Sequence, residues 1–120
     1  MVLCESLLEI AVKSNKTFHL VLVTCANLLQ AKLIARTVIE KRLAACVNIL
    51  RHPVESHYRW KGRVESAREL LLLIKTTAPK LSQLEKEVQR LHSYAVPEFL
   101  VLPVSGGSPD YLHWIAESTK

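Results

Sequence analysis

The length, composition and charge of this chain exclude several classes of protein. Its 120 residues are 49% hydrophobic with only 3 Gly and 5 Pro, which suits one packed domain and excludes a disordered chain. No stretch approaches the ~18 consecutive apolar residues of a membrane span, and Glu5 and Glu9 interrupt the apolar N-terminus where a secretory signal needs a continuous core. We therefore expect a soluble, cytoplasmic protein, whose net charge of +5 is modest.

The cysteine pattern indicates the redox state of the chain, and the absence of linkers indicates its domain organisation. Cys4, Cys25 and Cys46 are odd in number and form no CxxC pair, so reduced thiols are expected. No repeat or low-complexity tract interrupts the chain. We predict a loosely ordered arm over residues 1–15 and a single domain over residues 16–120.

The first predicted elements are a strand at about residues 18–24 and a helix after it. Asn27 is a good N-cap residue and Gln30 follows three positions on, as in a capping box. The apolar residues that follow have the spacing of a buried helical stripe: Ala31, Ile34, Ala35, Val38 and Ile39. This helix is predicted to pack on the sheet.

The next two predicted strands form a long hairpin. The second strand runs from about residue 44 to 58 or 60, and Pro53 interrupts it because proline cannot donate to a strand ladder. The chain turns at Lys61 and Gly62 and returns over residues 63–76. At ~3.3 Å per residue this arm reaches ~50 Å, more than the diameter of a compact domain of this size. The hairpin is therefore predicted to project.

The last third of the chain adds a helix, a strand and a second helix. Pro79 suits a first helical turn, and the helix should end near His92. A fourth strand is predicted over residues 98–104, with Ser108 as N-cap and Pro109 at the first position of the C-terminal helix. The order βαββαβ plus a C-terminal helix predicts an α+β, ferredoxin-like antiparallel sheet with its two main helices on one face.

The apolar strands predict an oligomer. Residues 20–23, 43–47, 70–74 and 99–102 are apolar without alternation, as in strands that are buried on both faces. Two helices cover only one face, so we expect another copy to cover the other. The predicted interface residues are Tyr58, Trp60, Leu70, Leu72 and Ile74. Leucines stand where RNA-recognition modules carry aromatic residues, so nucleic-acid binding is not expected.

Four segments resemble the CutA divalent-cation tolerance family. They are VIEKRLAACVNIL at 38–50, YRWKG at 58–62, ELLLLIKT at 69–76, and His92-x-Tyr94-x-x-x-Glu98 followed by LPV. The resemblance implies a ferredoxin-like homotrimer, similar to PII-type signalling proteins, whose hairpins wrap around neighbouring subunits. Family members are linked to tolerance and binding of divalent metals, chiefly copper, without a settled catalytic activity. A non-enzymatic copper-binding protein is therefore expected.

The resemblance leaves a second function open. Animal members are associated with anchoring acetylcholinesterase, and PII-type proteins bind effectors between subunits. The chain would then be a trimeric scaffold or effector sensor, in which Trp60 and the hairpin recognise a protein and Lys75 binds an anion. Lys75 could instead only snorkel from the sheet edge.

The candidate metal ligands are Cys25, Cys46 and His92, because thiolate and imidazole are donors suited to copper or zinc. Cys25 follows the first strand, and a helix N-terminus there would favour its thiolate. Cys46 is alternatively a small buried hydrophobic residue. No local spacing supports a closed metal site within one chain.

The candidate cleft is built from His92, Tyr94 and Glu98, with Trp60 and Lys75 as further ligand-binding candidates. These groups could converge between two subunits. Alternatively, His92 complements the dipole of the preceding helix, Tyr94 packs and Glu98 pairs with a basic residue. An acid–base role for His92 and Glu98 is not required by their spacing. Ser93 and Ala95 depart from the family pattern, which often has Pro and an acidic residue there.

Overall fold

The computed structural model describes residues 17–120, so the arm predicted over residues 1–15 lies outside the described residues. The elements in chain order are β1 (Phe18–Cys25), α1 (Leu28–Glu40), β2 (Cys46–Trp60), β3 (Arg63–Thr77), a 3-10 turn (Ala78–Lys80), α2 (Leu81–Leu91), β4 (Leu100–Pro103) and α3 (Pro109–Ser118). This order confirms the prediction. None of the helices within residues 17–120 has the length and apolar character needed to cross a membrane.

The four strands form one antiparallel sheet in the order β2-β3-β1-β4. This is the ferredoxin-like arrangement predicted from the element order. β4 pairs with β1 over only four residues and is shorter than the predicted strand. Its ladder begins at Leu100 because the chain before it, which contains Pro97 and Glu98, lies along a cleft and outside the sheet.

The predicted helix caps are present. The side chain of Asn27 accepts a hydrogen bond from the backbone N–H of Gln30 at 2.9 Å, and that of Ser108 accepts one from Tyr111 at 3.2 Å. Each bond satisfies an N–H that would otherwise lack a partner in the first helical turn. α2 ends at Leu91 with His92 as its C-cap, close to the predicted end.

The core lies between the two main helices and one face of the sheet. Its buried residues include Val21, Val23 and Cys25 of β1, Ala31, Ile34 and Val38 of α1, Leu70, Leu72 and Ile74 of β3, and Leu84 and Val88 of α2. The predicted interface role of Leu70, Leu72 and Ile74 is corrected here, because they face the helices and have almost no surface left for a partner. The role of the exposed Tyr58 and Trp60 stays a prediction.

The opposite face of the sheet carries the residues that alternate with the core. Cross-strand pairing places seven leucines on it: Leu20, Leu22, Leu50, Leu71, Leu73, Leu100 and Leu102. α3 covers one end of this face, where Leu112 and Ile115 pack with Phe18 and Ala45. We call the seven leucines the open face. The sheet therefore has an apolar second face, as predicted, but α3 already covers part of it.

The hairpin makes the molecule long. The described structure measures 55 × 29 × 25 Å, and its radius of gyration of 16.2 Å exceeds the roughly 13 Å of a compact domain of this length. The pairing of β2 with β3 shifts register between Leu50 and Val54, which is the predicted irregularity at Pro53. At the tip, Lys61 and Gly62 both have positive φ, 50° and 78°, as a two-residue type I′ turn requires.

Replacing Gly62 with alanine is expected to lower the free energy of unfolding by about 1 kcal/mol, because a residue with Cβ is strained at positive φ. Gly106→Ala is the matched control. A Cβ at either position meets nothing within 4 Å, but only Gly62 has positive φ. Urea unfolding of both variants measures the difference. Equal stability of the two variants would contradict the turn conformation.

Candidate functional site

A cleft of about 700 Å³ opens between the hairpin and the segment that follows α2. It is lined by Thr24, Ser56, His57, Tyr58, Trp60, Glu69, Tyr94, Ala95, Val96, Pro97 and Glu98. β2 and β3 supply one wall and the chain between α2 and β4 supplies the other. The predicted cleft residues Trp60, Tyr94 and Glu98 therefore lie together.

The His92 side chain organises this segment without pointing a free nitrogen into the cleft. Its Nε2 lies 2.6 Å from the carbonyl oxygen of Thr24, and its Nδ1 lies 3.1 Å from the backbone nitrogen of Tyr94. A carbonyl only accepts, so Nε2 donates, and Nδ1 accepts from the Tyr94 N–H. The ring is thus neutral, with both nitrogens engaged. This arrangement corrects its predicted role as a metal ligand and also the alternative of a charge on the helix dipole.

Tyr94 is held by two contacts. Its ring centroid lies 4.6 Å from that of His92, and its hydroxyl donates a hydrogen bond to Glu69 Oε2 at 3.0 Å. Burial, and then the bond to the Glu69 carboxylate, raise the pKa of Tyr94 to about 12. The phenol therefore stays protonated at neutral pH and acts as a donor to Glu69.

Glu69 and Glu98 make the cleft negative. The Glu69 side chain is buried, and among residues 17–120 no basic side chain forms an ion pair with it. Burial, and then the charge of Glu69, raise the pKa of Glu98. Of the described residues that line the cleft, none is Lys or Arg. The cleft thus concentrates negative charge in a chain whose net charge is +5.

The two described cysteines lie on opposite faces of the sheet. Cys25 is buried on the helix side of the sheet, and burial, and then the charge of Glu69, raise its pKa to about 11. The prediction of a thiolate at this position is wrong, because burial outweighs the helix N-terminus. Cys46 pairs with Lys75 of β3, so it lies on the other side of the sheet.

The predicted metal ligands are therefore not brought together within one subunit. Cys25 and Cys46 face opposite sides of the sheet, and the nitrogens of His92 are occupied. Within the described part of the chain, no group of three or more His, Cys, Asp or Glu residues could hold a metal ion. The thiolate and imidazole donor set does not fit this subunit.

Lys75 was predicted to bind a ligand but lies outside the cleft, whereas Glu69 was not predicted and lines it. Lys75 lies on the leucine side of the sheet with its Nζ 3.8 Å from Cys46 Sγ, and it does not line the cleft. Glu69 was missed, although the hairpin contained a signal. A two-residue turn at 61–62 pairs Tyr58 with Glu65, which places Glu69 on the same strand face as Tyr58 and Trp60.

Comparisons with known proteins agree with this fold. The family model described as CutA1 divalent ion tolerance protein matches residues 19–118. Protein CutA of Mus musculus is 47% identical over 98 residues, which cover 82% of this chain and 55% of the mouse protein. The divalent-cation tolerance protein CutA of Thermus thermophilus is 45% identical over 101 residues, which cover 84% of this chain and 97% of that protein. This chain thus spans about half of the mouse protein.

Solved structures show the same architecture. The divalent cation tolerance protein from Thermus thermophilus superposes with a TM-score of 0.83 at 44% identity, covering 86% of this chain and 99% of that one. CutA1 from Oryza sativa has a TM-score of 0.83 at 41% identity, covering 87% and 94%. Fold, sequence and family model agree over nearly all of the described residues, and the chain belongs to the CutA1 divalent ion tolerance protein family.

Proposed function

We propose that this chain forms a cytoplasmic homotrimer that binds divalent cations, with copper preferred, and that it catalyses no reaction. The family supports the divalent cation. The observation that carries the proposal is the cleft in which Glu69 and Glu98 lie without a basic partner among the lining residues. A bound cation would neutralise the mutual repulsion that helps to raise the pKa of Glu98.

The ligands in this proposal are oxygens, and the thiol of Cys25 is not among them. Glu69 and Glu98 supply these oxygens as carboxylates, whereas the Nε2 of His57, which also lines the cleft, lies 2.7 Å from Glu55 Oε2 and is not counted as a ligand. Copper remains the preferred first-row divalent metal, because affinity for a given nitrogen and oxygen site rises toward Cu²⁺ and falls again at Zn²⁺.

The trimer in this proposal completes the site and covers the open face. One subunit offers fewer ligands than the four to six that a divalent cation commonly takes, so a neighbouring subunit or water must supply the rest. Leu50, Leu100 and Leu102 are exposed in the single subunit, and Leu71 and Leu73 are half-buried beside them. Burial of this apolar surface would stabilise association.

A trimeric scaffold is the second candidate, and the 55 Å length with exposed Tyr58 and Trp60 favours it. In this function the hairpin would bind a protein partner, including an acetylcholinesterase-related one. Binding of a small anion in the cleft is disfavoured, because Lys75 lies elsewhere and no Lys or Arg is found among the described lining residues.

Calorimetric titration with Cu²⁺ tests the cation proposal. All variants carry Cys4→Ser and Cys46→Ser, since these thiols could bind copper by themselves. Glu69→Gln is expected to weaken saturable binding by about 10-fold or more, because it removes a charged ligand. Binding should also weaken as the pH falls through the raised pKa of Glu98, where protons compete with the metal.

Two controls make the titration decisive. Glu85→Gln removes an exposed carboxylate on α2, away from the cleft, and should leave copper affinity unchanged. Cys25→Ser should do the same. Loss of binding in Cys25→Ser, or unchanged binding in Glu69→Gln, would refute the oxygen-ligand site.

A further inference from the structure

We propose that the cleft also binds a small organic amine, with its ammonium group between Glu69 and Glu98 and its apolar body against Tyr58, Trp60 and Tyr94. This inference goes beyond the divalent-cation proposal and does not depend on it.

The size of the cleft indicates an organic ligand. Its volume of about 700 Å³ falls within the range of roughly 300–1,000 Å³ that small-molecule sites occupy. A bare metal ion and its first ligands fill only a small part of such a space. The remaining volume lies beside aromatic rings, with which a metal ion makes no favourable contact of comparable size.

The charge of the cleft selects a cation. Glu69 is only 7% exposed, and its described hydrogen bond comes from the neutral hydroxyl of Tyr94. Burying a carboxylate without a positive partner costs free energy. Hydrogen bonds from a charged N–H donor offset this cost more strongly than bonds from a neutral donor. A primary ammonium has three such donors and can therefore bond more than one carboxylate oxygen.

The aromatic residues select an amine with an apolar body. Tyr58 and Trp60 alternate with cationic residues on β2, share one face of the hairpin and are each 44% exposed at the cleft. Tyr94 stands on the other wall, and its ring is fixed by His92 and Glu69. Aromatic faces attract cations and alkyl or aryl groups alike. Each wall of the cleft thus offers a carboxylate and at least one aromatic ring. The carboxylates match the ammonium end of the ligand, and the rings match its apolar body.

The probe pair 2-phenylethylamine and 2-phenylethanol tests this inference. The two molecules have the same body, but only the amine carries a positive charge at neutral pH. In a chelator-containing buffer free of divalent metals, the amine is expected to bind saturably, and the alcohol about 10-fold more weakly or worse, because it lacks the charge-assisted bonds. Binding of both probes with equal affinity would overturn the proposal.

Variants locate the binding in the cleft. Glu69→Gln is expected to weaken amine binding by about 10-fold, and Glu85→Gln should have no effect. Trp60→Leu, at a half-exposed position where the fold tolerates change, should weaken amine binding without loss of secondary structure by circular dichroism. Unchanged affinity in both Glu69→Gln and Trp60→Leu would refute the site.

The outcomes for the amine and for copper are separable. Amine binding without saturable copper binding would support this inference and refute the metal proposal. Copper binding that depends on Glu69, with no amine binding, would do the opposite. If both bind, excess Cu²⁺ should displace the amine, because both need the same carboxylates; simultaneous binding without competition would place the amine elsewhere and overturn the inference.

Discussion

Replacing Leu73 with glutamate is expected to convert the proposed homotrimer into single subunits. Leu73 lies in the middle of the open face, where it pairs with Leu22 of β1 and Asn48 of β2. A carboxylate buried there without a partner would cost several kcal/mol. In a closed symmetric assembly every subunit carries the substitution, so the penalty is repeated at each interface.

Size-exclusion chromatography with light scattering measures this change. The variant should elute with a mass near the 13.6 kDa of one chain, whereas the unmodified protein should have three times that mass. Leu33→Glu is the matched control, because Leu33 is an exposed leucine on α1, 51% exposed, away from the sheet. An unmodified protein that is already a single subunit at micromolar concentration would refute the trimer, as would an unchanged mass for Leu73→Glu.

Replacing Leu72 with alanine is expected to lower the free energy of unfolding by about 2–5 kcal/mol. Leu72 is 0% exposed and belongs to the core between the sheet and the two main helices. Removing most of its side chain leaves a cavity that the packed neighbours fill only in part, so both burial and dispersion contacts are lost. Denaturant unfolding at one fixed subunit concentration measures the loss.

The neighbouring residue provides the control for Leu72. Leu71→Ala makes the same chemical change one position away, but on the open face. It should weaken assembly more than it weakens the subunit core, so its effect should depend on protein concentration. If Leu71→Ala produced the concentration-independent loss and Leu72→Ala the loss of assembly, the assignment of the two faces would be reversed.

Most of the fold could be predicted from local signals. The N-caps Asn27 and Ser108, the turn at Lys61 and Gly62, and the irregularity at Pro53 all lie where their chemistry places them. These features depend on a few adjacent residues. The sequence stretch itself therefore contains the information that determines them.

The interface role predicted for Leu70, Leu72 and Ile74 was wrong because local signals do not show which face of a strand meets the helices. In the run of five apolar residues from 70 to 74, alternation separates two sets but does not say which set meets the helices. Pairing with β1 decides it, because Val21 and Val23 lie on the helix side opposite Ile74 and Leu72. Because side chains alternate along a strand, a shift of one residue exchanges the residues assigned to the core with those assigned to the interface.

The candidate site was predicted only in part. Tyr94, Glu98 and Trp60 are near each other as expected, but the ligand roles of Cys25 and His92 depended on surroundings that their own segments do not show. Burial of Cys25 in the core raises its thiol pKa to about 11. The carbonyl oxygen of Thr24, 68 positions away in sequence, accepts a hydrogen bond from Nε2 of His92.

The amino-acid sequence by itself determined the element order, the projecting hairpin and the family, because these follow from periodicity, turn chemistry and motif spacing along the chain. Only the tertiary structure decided which leucines face the helices and that Glu69 joins Glu98 and Tyr94 in one cleft. The reason is that burial and proton affinity depend on groups distant in sequence, which the fold brings within a few ångströms of each other.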